Sequence, residues 1–487
     1  MMGEILGSLK PELVWNHFEE LCGYPRPSRK EEKVAQYVIS VAKRLNLEYA
    51  RDEFGNVVIR KPATPGKENL TPVVLQGHLD MVAEKNADVA HDFDKDPIQP
   101  YVDGDWVKAK GTTLGSDNGI GVAAALAVME SKNIEHGPVE ALFTLDEETG
   151  LFGAQSLKPG FVKAKILLNL DSEEDGALYI GCAGGQNTYV KFKFTQNDVP
   201  ANTVAFEIKV AGLKGGHSGL DINTGRGNAI KIMARLLHAL NYKFGIRLAS
   251  INGGSKHNAI PRECFAVVRV AKKSSADFQN FVAQYNDVVK SELASVEPNL
   301  NVTAAESKSK LKVMDKNTAG RLIDSLYTVQ NAVIKMSADI EGLVETSTNL
   351  AVVVTKGKVV DVTLSQRSSV ESEKIDISNT VTAHFKMAKA DVKQADGYPG
   401  WKPDINSPVL SVLKNVYKSS YGKEPEVKAI HAGLECGIIK ERYPNMDMIS
   451  FGPTIMGAHS PDEKVQISTV TKFWELLTNT LKNIPTN

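Results

Sequence analysis

The sequence predicts an α/β protein in which a mixed-sheet domain is interrupted by an inserted α+β domain. Up to about residue 186, short β-branched runs such as "NVVIR" and "PVVLQGHLD" alternate with helical segments, which is typical of a mixed or parallel sheet. From residue 187 to 399 longer alternating strands replace this pattern, and the α/β pattern returns over residues 400–487. We therefore expect one domain in two chain segments, 1–186 and 400–487, with residues 187–399 inserted between them.

Charge and hydropathy exclude several classes of protein. The formal net charge of the 487 residues is -1, so the basic field that favours nucleic acid or an anionic membrane surface is missing. The longest apolar run, "GIGVAAALAVM", is too short to span a bilayer, and the N-terminus does not read as a signal peptide. We expect a cytoplasmic protein that binds neither nucleic acid nor membranes.

The four cysteines are scattered and form no CxxC pair. This spacing predicts neither a disulfide framework nor a thiolate zinc site. Any metal in this protein is therefore expected to have nitrogen and oxygen ligands.

The first segment begins with two predicted helices, which are separated by "GYPRPS", and Ser28 is a candidate N-cap for the second. Two strands follow, then the apolar helix "GIGVAAALAVMES", then the strands "VEALFTL" and "AKILLNLD". Several of these strands end in a polar residue. Because sheets of this kind bind ligands at the strand ends, we expect a functional site at that edge.

The insertion is predicted to contain the strands "VAFEIKVAGL", "FAVVRVA", "LAVVVTKGKVVDVTLSQRSS" and "NTVTAHFKMA". Helices such as "RGNAIKIMARLLHAL" alternate with them, which indicates an α+β sandwich with one helix-covered sheet face. The insertion is long enough for two such sandwiches in tandem. A linker, "DGYPGWKP", leads back to the α/β pattern.

Three adjacent acids, Asp146, Glu147 and Glu148, follow the apolar strand of "VEALFTLDEETGLFG". Most acidic triplets lie in solvated turns, and Gly150 could close such a turn. Here the preceding strand places the acids close to the interior, where unpaired charge is costly. We therefore expect positive charge near them.

His78 and Asp80 are two residues apart after a strand, so their side chains lie on the same side of an extended backbone. Such a pair is commonly a surface or hydrogen-bonded pair. A carboxylate can also hold one ring N–H of a histidine and leave the other nitrogen for a metal.

Asp117 lies in the glycine-rich turn "GTTLGSDNGIGVAAAL", which enters an apolar helix. It is either an N-cap or a carboxylate that bridges two cations, one on each oxygen. The segment contains neither GxGxxG nor GxxxxGK[ST], so a phosphate-binding loop is excluded.

Asp171 ends the strand of "LLNLDSEEDG", and His459 lies in the polar loop of "FGPTIMGAHSPDE". Each has an ordinary structural alternative, closing a strand or occupying a loop. Together with His78, Asp117 and Glu148, however, they form a set of two imidazoles and three carboxylates. Such a set suits a pair of Zn²⁺ or similar ions. The set is His78, Asp117, Glu148, Asp171 and His459.

The order of six motifs across nearly the whole chain resembles the co-catalytic zinc aminoacylase and carboxypeptidase clan, and most closely its aminoacyl-histidine dipeptidase branch. The motifs are "GHLDMV", "GSDNGIG", "LDEETGLFG", "NLDSE", "GGHSG" and "GAHSPDE". The resemblance implies a two-zinc exopeptidase domain with a lid domain inserted into it. It also implies an enzyme, a metallopeptidase that hydrolyses amides without a covalent intermediate.

The resemblance also assigns roles to residues of the first domain. Asp117 bridges two ions; His78 and Asp171 complete one site, and Glu148 and His459 complete the other. Asp80 orients His78, and Glu147 is the general base that takes a proton from metal-activated water. Zn²⁺ is the expected ion, although the ligands also suit Mn²⁺ or Co²⁺. Asp146 receives no role.

In the insertion, the resemblance implies that His217 reaches over the metal site and stabilises the oxyanion. The histidine acts either within its own chain or across a homodimer that forms through the lid. Arg367 and Asn258 are candidates to bind the substrate. Arg367 would bind the terminal carboxylate of the substrate, and Asn258 would make a second polar contact. Arg367 could instead lie on a solvated or salt-bridged strand face. Glu435 and Cys436 follow a strand as a helix-start acid and a small core residue, without an assigned catalytic role.

The favoured hypothesis is a cytosolic two-zinc dipeptidase that acts on small unblocked peptides, with Xaa-His dipeptides of the carnosine type preferred by resemblance. One alternative is an N-acyl amino acid deacylase that uses the same site. Another is a metal-dependent peptide-binding module without catalysis. The sequence leaves open the side chain accepted at either position, the native metal and the oligomeric state.

Overall fold

The computed structural model describes residues 5–486, which divide into two compact units. The first unit comprises the described residues up to Cys182 together with Trp401–Ala429 and those from Leu434 onward. The second comprises Ala183–Gly400 and Ile430–Gly433. Each unit contains both helices and strands, so the expectation of a mixed α/β protein is confirmed.

None of the α-helices in the described residues is both long and apolar enough to cross a membrane. They are α1 (Glu12–Cys22), α2 (Glu32–Arg44), α3 (Ser116–Glu130), α4 (Phe152–Ser156), α5 (Ala229–Phe244), α6 (Ser275–Leu293), α7 (Lys316–Thr328), α8 (Glu371–Met387), α9 (Pro408–Tyr421), α10 (Glu435–Arg442) and α11 (Ile467–Lys482).

The strands form two large sheets and three small ones. They are β1 (Glu48–Arg51), β2 (Val57–Lys61), β3 (Val73–His78), β4 (Pro100–Asp103), β5 (Trp106–Ala109), β6 (Val139–Thr144), β7 (Ile166–Asn169), β8 (Ala177–Cys182), β9 (Gly184–Lys193), β10 (Gln196–Asn197), β11 (Thr203–Ala211), β12 (Gly216–His217), β13 (Arg247–Gly253), β14 (Ala259–Ile260), β15 (Cys264–Ala271), β16 (Asn301–Ser307), β17 (Val313–Met314), β18 (Ala332–Met336), β19 (Val344–Lys356), β20 (Val359–Ser368), β21 (Asp391–Gln394), β22 (Glu426–Ile430), β23 (Asp447–Ser450), β24 (Ile455–Met456) and β25 (Lys464–Gln466).

The sheet of the first unit has the strand order β1-β2-β6-β3-β7-β23-β8-β22. Its centre is parallel, because β3 pairs in parallel with both β6 and β7, and β7 pairs in parallel with β23. The side chains of β3, β6 and β7 are buried along their whole length, as in sheets that are covered on both faces. The register sets His78 opposite Thr144, and Gln76 opposite Asn169. Consequently the loops after these three strands leave the sheet at the same edge.

Helix α3 brings a fourth segment to that edge. It is buried from Ser116 to Met129 with one exception, Asp117, because its sequence is apolar on all sides and it contacts both α1 and β3. Its first turn is irregular: Asp117 and Asn118 have backbone angles outside the helical range. The carboxylate of Asp117 is therefore presented from a distorted helix start and does not act as a simple N-cap.

The second unit has one continuous nine-stranded sheet, so the possibility of two sandwiches in tandem is wrong. A short pairing of Asn252 and Gly253 with Val354 and Val353 joins its two halves. One face is covered by helices α5 to α8, and a single hydrophobic core lies between them and the sheet. The long insertion thus forms one two-layer α+β structure, with a nine-stranded sheet and helices on one of its faces.

The segment "NTVTAHFKMA", which the sequence analysis treats as a strand, lies in helix α8 and the residue that follows it. Its polar and apolar residues alternate over a short stretch, and this imitates the period of a strand. The residues that are buried against the sheet are Ile377, Val381 and Phe385, which are four apart and share one helix face. The longer helical period therefore determines the structure.

We predict that Phe385→Ala lowers the free energy of unfolding of the second unit by about 3–5 kcal/mol, because it leaves a cavity under α8. The Phe385 ring is fully buried and meets Phe192 edge-on, with ring centroids 6.1 Å apart. Urea denaturation followed by circular dichroism measures the change. The matched control is Met387→Ala on the same helix, where the side chain is 78% exposed and a change below about 0.5 kcal/mol is expected. Equal losses in both variants would contradict the packing of α8.

Candidate metal centre

Among the described residues, four groups of acidic and histidine side chains could each hold a metal ion, and two of these groups consist only of the five candidate ligands. The ligand atoms of each group lie within 4.8 Å of one another. The first ligand group is His78, Asp117 and Asp171, and the second is Asp117, Glu148 and His459. The structure thus brings all five sequence candidates together, in the two sets that the resemblance implies.

Asp117 is shared by the two groups, and each of its carboxylate oxygens faces a different imidazole. Oδ1 lies 3.1 Å from His78 Nε2, and Oδ2 lies 3.0 Å from His459 Nε2. The outer carboxylates approach the same two nitrogens: Asp171 Oδ1 is 3.4 Å from His78 Nε2, and Glu148 Oε2 is 3.0 Å from His459 Nε2. The arrangement is that of a carboxylate bridge between two cation sites.

Two carboxylate oxygens in these groups have no hydrogen-bond partner within residues 5–486. They are Glu148 Oε1 and Asp171 Oδ1, and both are buried. Leaving a buried carboxylate oxygen unsatisfied is costly, and a cation would remove that cost. Imidazole nitrogens and carboxylate oxygens are the donors that Zn²⁺ and similar borderline ions prefer. The residues therefore fit a pair of divalent ions.

The pKa values of the two histidines reflect the surplus of acidic groups. Hydrogen bonds with Asp117 and Glu148 raise the pKa of His459 to about 11. Burial lowers the pKa of His78, but the Asp171 and Asp117 carboxylates outweigh it and raise the pKa well above its usual value. In the two ligand groups, three carboxylates face two imidazoles.

Glu147 lies beside the ligand groups, with one oxygen within 4.8 Å of both His78 and Glu148 ligand atoms. Burial raises its pKa well above the usual value, and the nearby Asp171 and Glu148 carboxylates raise it further. A carboxyl group in this environment readily takes up a proton. Its position beside both ligand groups is the one that a general base acting on a bound water requires.

Asp80 contacts both the His78 ring and the backbone of the acidic turn. Its Oδ1 atom is 3.3 Å from His78 Nδ1, so the ring's other nitrogen is turned toward Asp117. The same carboxylate accepts hydrogen bonds from the backbone N–H groups of Glu147, at 3.0 Å, and Glu148, at 3.1 Å. One buried side chain therefore orients an imidazole and fixes the backbone of two neighbouring acids.

Ser28 does not cap helix α2, contrary to the sequence expectation. The helix begins at Glu32 without a side-chain cap, and the Ser28 hydroxyl donates instead to Asp80 Oδ2 at 2.8 Å. Because Ser28 lies some residues before the helix, it can reach the sheet edge. Asp80 therefore accepts from the Ser28 hydroxyl as well as from the N–H groups of Glu147 and Glu148.

Asp146, which has no role in the sequence-based predictions, shapes the turn. Its φ is +51°, and its backbone N–H donates to the buried carboxylate of Glu31 at 2.9 Å. Its own side chain accepts from the Thr149 hydroxyl and from Arg29 Nε. The first acid of the triplet therefore points into its own turn, away from the ligand role that we assign to Glu148.

Asn118 is a residue that the sequence analysis missed. Its Oδ1 accepts from the His78 N–H at 3.2 Å, and its Nδ2 donates to the carbonyl of Leu170 at 2.7 Å. One amide thus ties together the segments that carry His78, Asp117 and Asp171. It lies within the motif "GSDNGIG", so its position beside Asp117 was the available signal.

Glu435 is fully buried at the start of α10, so it differs from an ordinary exposed helix-start acid. Its Oε2 accepts from Gln76 Nε2 at 2.6 Å and from the Thr144 hydroxyl at 2.7 Å. Burial raises its pKa to about 7. Cys436 is also buried, as expected of a small core residue.

In the second unit, His217 has a defined tautomer. Its Nδ1 accepts from the backbone N–H groups of Gly219, at 3.2 Å, and Leu220, at 3.1 Å, so the ring proton must lie on Nε2. Burial, with the nearby Arg367, lowers its pKa to about 4. At neutral pH this imidazole is uncharged and has one N–H to donate.

Arg367 is only 6% exposed, so the alternative of a solvated strand face is wrong. It donates to the Tyr398 hydroxyl at 3.0 Å and to the Ser218 hydroxyl at 3.4 Å. No carboxylate in the described part of the chain forms an ion pair with it, so the salt-bridged alternative is wrong as well. A buried guanidinium with neutral partners is suited to an anionic group from outside.

Asn258 lies beside this region, because β12 pairs with β14 and sets His217 opposite Ala259. Its backbone carbonyl accepts from the Ser218 N–H at 2.9 Å, and its side chain is exposed. His431, which the sequence analysis missed, is buried here as well: its Nε2 lies 2.7 Å from the Ser347 hydroxyl. The second unit therefore gathers neutral and basic polar groups, and the first gathers acids.

Comparison with known proteins agrees with this chemistry. The model of the peptidase family M20/M25/M40 matches residues 74–483. The cytosol non-specific dipeptidase of Escherichia coli (strain K12) is 45% identical to this chain over 483 residues, 99% of either sequence. The solved aminoacylhistidine dipeptidase from Vibrio alginolyticus is also 45% identical and covers 99% of this chain and 98% of its own, with a TM-score of 0.93.

A more distant solved structure, a tripeptidase from Staphylococcus aureus, has a TM-score of 0.57 at 16% identity and covers 98% of this chain and 99% of its own. At that identity the likeness shows the fold alone. The family match and the 45% identical relatives extend across the motifs on which the resemblance was based. The chain therefore belongs to the peptidase family M20/M25/M40, and the enzyme class that its motifs predicted is confirmed.

Proposed function

We propose that this protein is a two-metal dipeptidase that hydrolyses the peptide bond of unblocked dipeptides, with Xaa-His substrates preferred. The observation that carries the proposal is the shared carboxylate of Asp117, which offers one oxygen to the His78 side and the other to the His459 side. A carboxylate shared in this way is suited to a pair of ions, one on each oxygen.

The first ligand group would hold one ion, and the second would hold the other. Divalent ions in this position supply Lewis acidity, which lowers the pKa of water and polarises the peptide carbonyl. Zn²⁺ is the ion that we propose, and Mn²⁺ and Co²⁺ suit the same donors. Asp80 keeps His78 in the tautomer and orientation that ligation needs.

Glu147 would act as the general base and then as the general acid. It would take a proton from the attacking water and deliver it to the amine that leaves when the peptide bond breaks. Its neighbour Glu148 is committed to the second ligand group, so the two adjacent acids have different tasks. The position of Glu147, with an oxygen within 4.8 Å of ligand atoms of both His78 and Glu148, supports this role.

For residues of the second unit we propose the roles that the resemblance implies. His217 would donate its Nε2–H to the oxyanion that forms on the peptide carbonyl, since its Nδ1 is already occupied by backbone donors. Arg367 would bind the terminal carboxylate of the dipeptide, and Asn258 would make a second polar contact. The buried, unpaired guanidinium supports this assignment.

The substrate class is taken from the relatives. One is named a non-specific dipeptidase and the other an aminoacylhistidine dipeptidase, so dipeptides are common to both names and the preference for histidine is the narrower proposal. We also propose a cytosolic location, as the name of the first relative states for that protein. Small peptides are the proposed partners, and neither nucleic acid nor membrane binding is proposed.

We predict that Glu147→Gln binds two metal ions but loses at least about a hundredfold in kcat, because an amide cannot carry the proton. Glu148→Gln should instead lose one of the two ions, because it removes a charged ligand. Elemental mass spectrometry after dialysis, together with steady-state kinetics, measures both effects. The two variants are matched, since each replaces one acid of a neighbouring pair by its amide. Equal metal loss in both would overturn the division of tasks.

We predict that an Xaa-His dipeptide is hydrolysed and that its N-acetylated counterpart is slower by about a hundredfold in kcat/KM, because a dipeptidase site must recognise the free amine. A chelator should abolish the activity, and added Zn²⁺ or Mn²⁺ should restore it. A thiol-blocking reagent serves as the control and should have little effect, since all four cysteines are buried. Faster turnover of the acetylated compound would indicate a deacylase. Binding without turnover of either would indicate a peptide-binding module.

We predict that His217 acts within its own chain, although a homodimer that forms through the second unit is the competing arrangement. A Glu147→Gln protein is mixed with a His217→Ala protein under conditions that allow subunits to exchange, and activity is measured. If the histidine acts in cis, no site in the mixture has both residues, and activity stays low. Substantial recovery would show that the histidine serves a partner's site. Full activity of His217→Ala alone would remove it from the mechanism.

A further inference from the structure

We propose that Glu463 is a positioning residue, which fixes the loop that carries Asp117 so that this carboxylate can bridge two ions. Glu463 is not one of the five candidate ligands and was assigned no role from the sequence. The inference rests on the proposed two-metal function, since it concerns how one of the ligands is held.

The side chain of Glu463 accepts five hydrogen bonds from four consecutive residues. Its Oε2 accepts from the N–H groups of Leu114, at 2.7 Å, and Gly115, at 2.9 Å. Its Oε1 accepts from the Ser116 N–H at 2.7 Å, the Ser116 hydroxyl at 2.6 Å and the Asp117 N–H at 3.2 Å. The carboxylate is 2% exposed, so these contacts take place away from solvent.

The backbone of this loop can converge on one carboxylate because Gly115 has a φ of +71°. A left-handed residue among right-handed or extended ones turns successive N–H groups toward a common point, which makes an anion-binding concavity. A β-carbon at Gly115 would lie 2.5 Å from Arg26 Nη2, so a larger residue is excluded by space as well as by conformation. The loop is thus shaped around the anion that occupies it.

Arg26 binds a backbone carbonyl of the same loop. It is 2% exposed, and its guanidinium donates to the Gly115 carbonyl at 2.5 Å. It also donates to the carbonyls of Leu79, at 2.9 Å, and Asp80, at 3.1 Å, directly after His78. The Asp117 loop is therefore fixed between a buried cation and a buried anion, and the cation also fixes the segment of the first histidine.

Glu463 links Asp117 to the second histidine. His459 is four residues before it, in the loop of the hairpin β24–β25, where Ile455 pairs with Val465 and Met456 pairs with Lys464. One short hairpin thus supplies both an imidazole that faces Asp117 Oδ2 and the carboxylate that holds the Asp117 backbone. A shift of the Asp117 loop relative to this hairpin would change the distance on which the second ligand group depends.

The chemistry requires a carboxylate at this position. Both of its oxygens accept, and every backbone partner is a donor. In a Glu463→Gln variant the amide NH₂ would face N–H groups, so at least one side of the loop would lose its acceptor. The loop would have to move, and Asp117 would move with it.

The test compares Zn²⁺ affinity in the wild type and in Glu463→Gln by competition with a chromophoric chelator, alongside the melting temperature of the metal-free protein. We expect at least about a tenfold loss of affinity for one of the two ions, as when groups that orient metal ligands are removed. Wild-type affinity for both ions in this variant would overturn the inference while leaving the proposed function intact. A wild type that binds fewer than two ions would overturn the proposed function itself.

The matched control is Glu140→Gln in the same unit. Glu140 is 5% exposed and accepts from the N–H groups of Lys163, at 2.7 Å, and Ala164, at 2.8 Å, near the opposite end of β6 from the ligand edge. It should lower the melting temperature and leave Zn²⁺ affinity within about twofold of the wild type. A loss of affinity in Glu140→Gln as large as that in Glu463→Gln would mean that general destabilisation is the cause, and would overturn the inference.

A milder variant decides the matter if Glu463→Gln does not fold. Ser116→Ala removes one of the five hydrogen bonds to Glu463 and leaves the four backbone donors in place. A smaller but measurable loss of Zn²⁺ affinity, about twofold or more, is expected. Unchanged affinity in this variant, with Glu463→Gln unfolded, would overturn the positioning role.

Discussion

The structure of the first unit depends on keeping an excess of carboxylates close together at the edge of one sheet. Asp117, Glu147, Glu148 and Asp171 surround only two imidazoles. Burial and neighbouring carboxylates raise the pKa values of Glu147 and Asp171, and the same carboxylates raise the pKa of His459. Burial of unbalanced charge is among the most costly arrangements in a protein. Divalent cations are the simplest way to remove that cost, and the family to which the chain belongs is one of peptidases.

The surrounding scaffold serves this edge through buried polar side chains that hold the backbone. Asp80 fixes the N–H groups of two acids, Asn118 connects three ligand-bearing segments, and Glu463 holds the loop of the bridging aspartate. Each of these groups makes more than one hydrogen bond, so the segments that carry the ligand atoms are held by the protein itself. In the second unit the pattern is reversed: Arg367 is buried among neutral hydroxyl groups and His217 is uncharged, which suits an anionic group and a developing oxyanion.

The α/β core was predictable from the sequence because short β-branched apolar runs are typical of buried strands, and the apolar run of α3 is too long for such a strand. The candidate ligands were found because each ends a strand or lies in a glycine-rich loop, and the motifs had a known order. The α8 segment was misread, since its local alternation concealed the four-residue spacing of Ile377, Val381 and Phe385. The contacts of Ser28 and Glu463 join positions far apart in the chain, and no local pattern records which distant backbone a side chain will hold.

The central claim is that Asp117 bridges two ions at the sheet edge. Anomalous diffraction from crystals soaked with Zn²⁺ tests it directly, because the signal locates the ions without reference to activity. The account predicts two peaks that share Asp117, one at about 2.0–2.2 Å from His78 and Asp171 atoms and the other at a similar distance from Glu148 and His459. A single peak, or peaks that leave Asp117 without a metal contact, would contradict it.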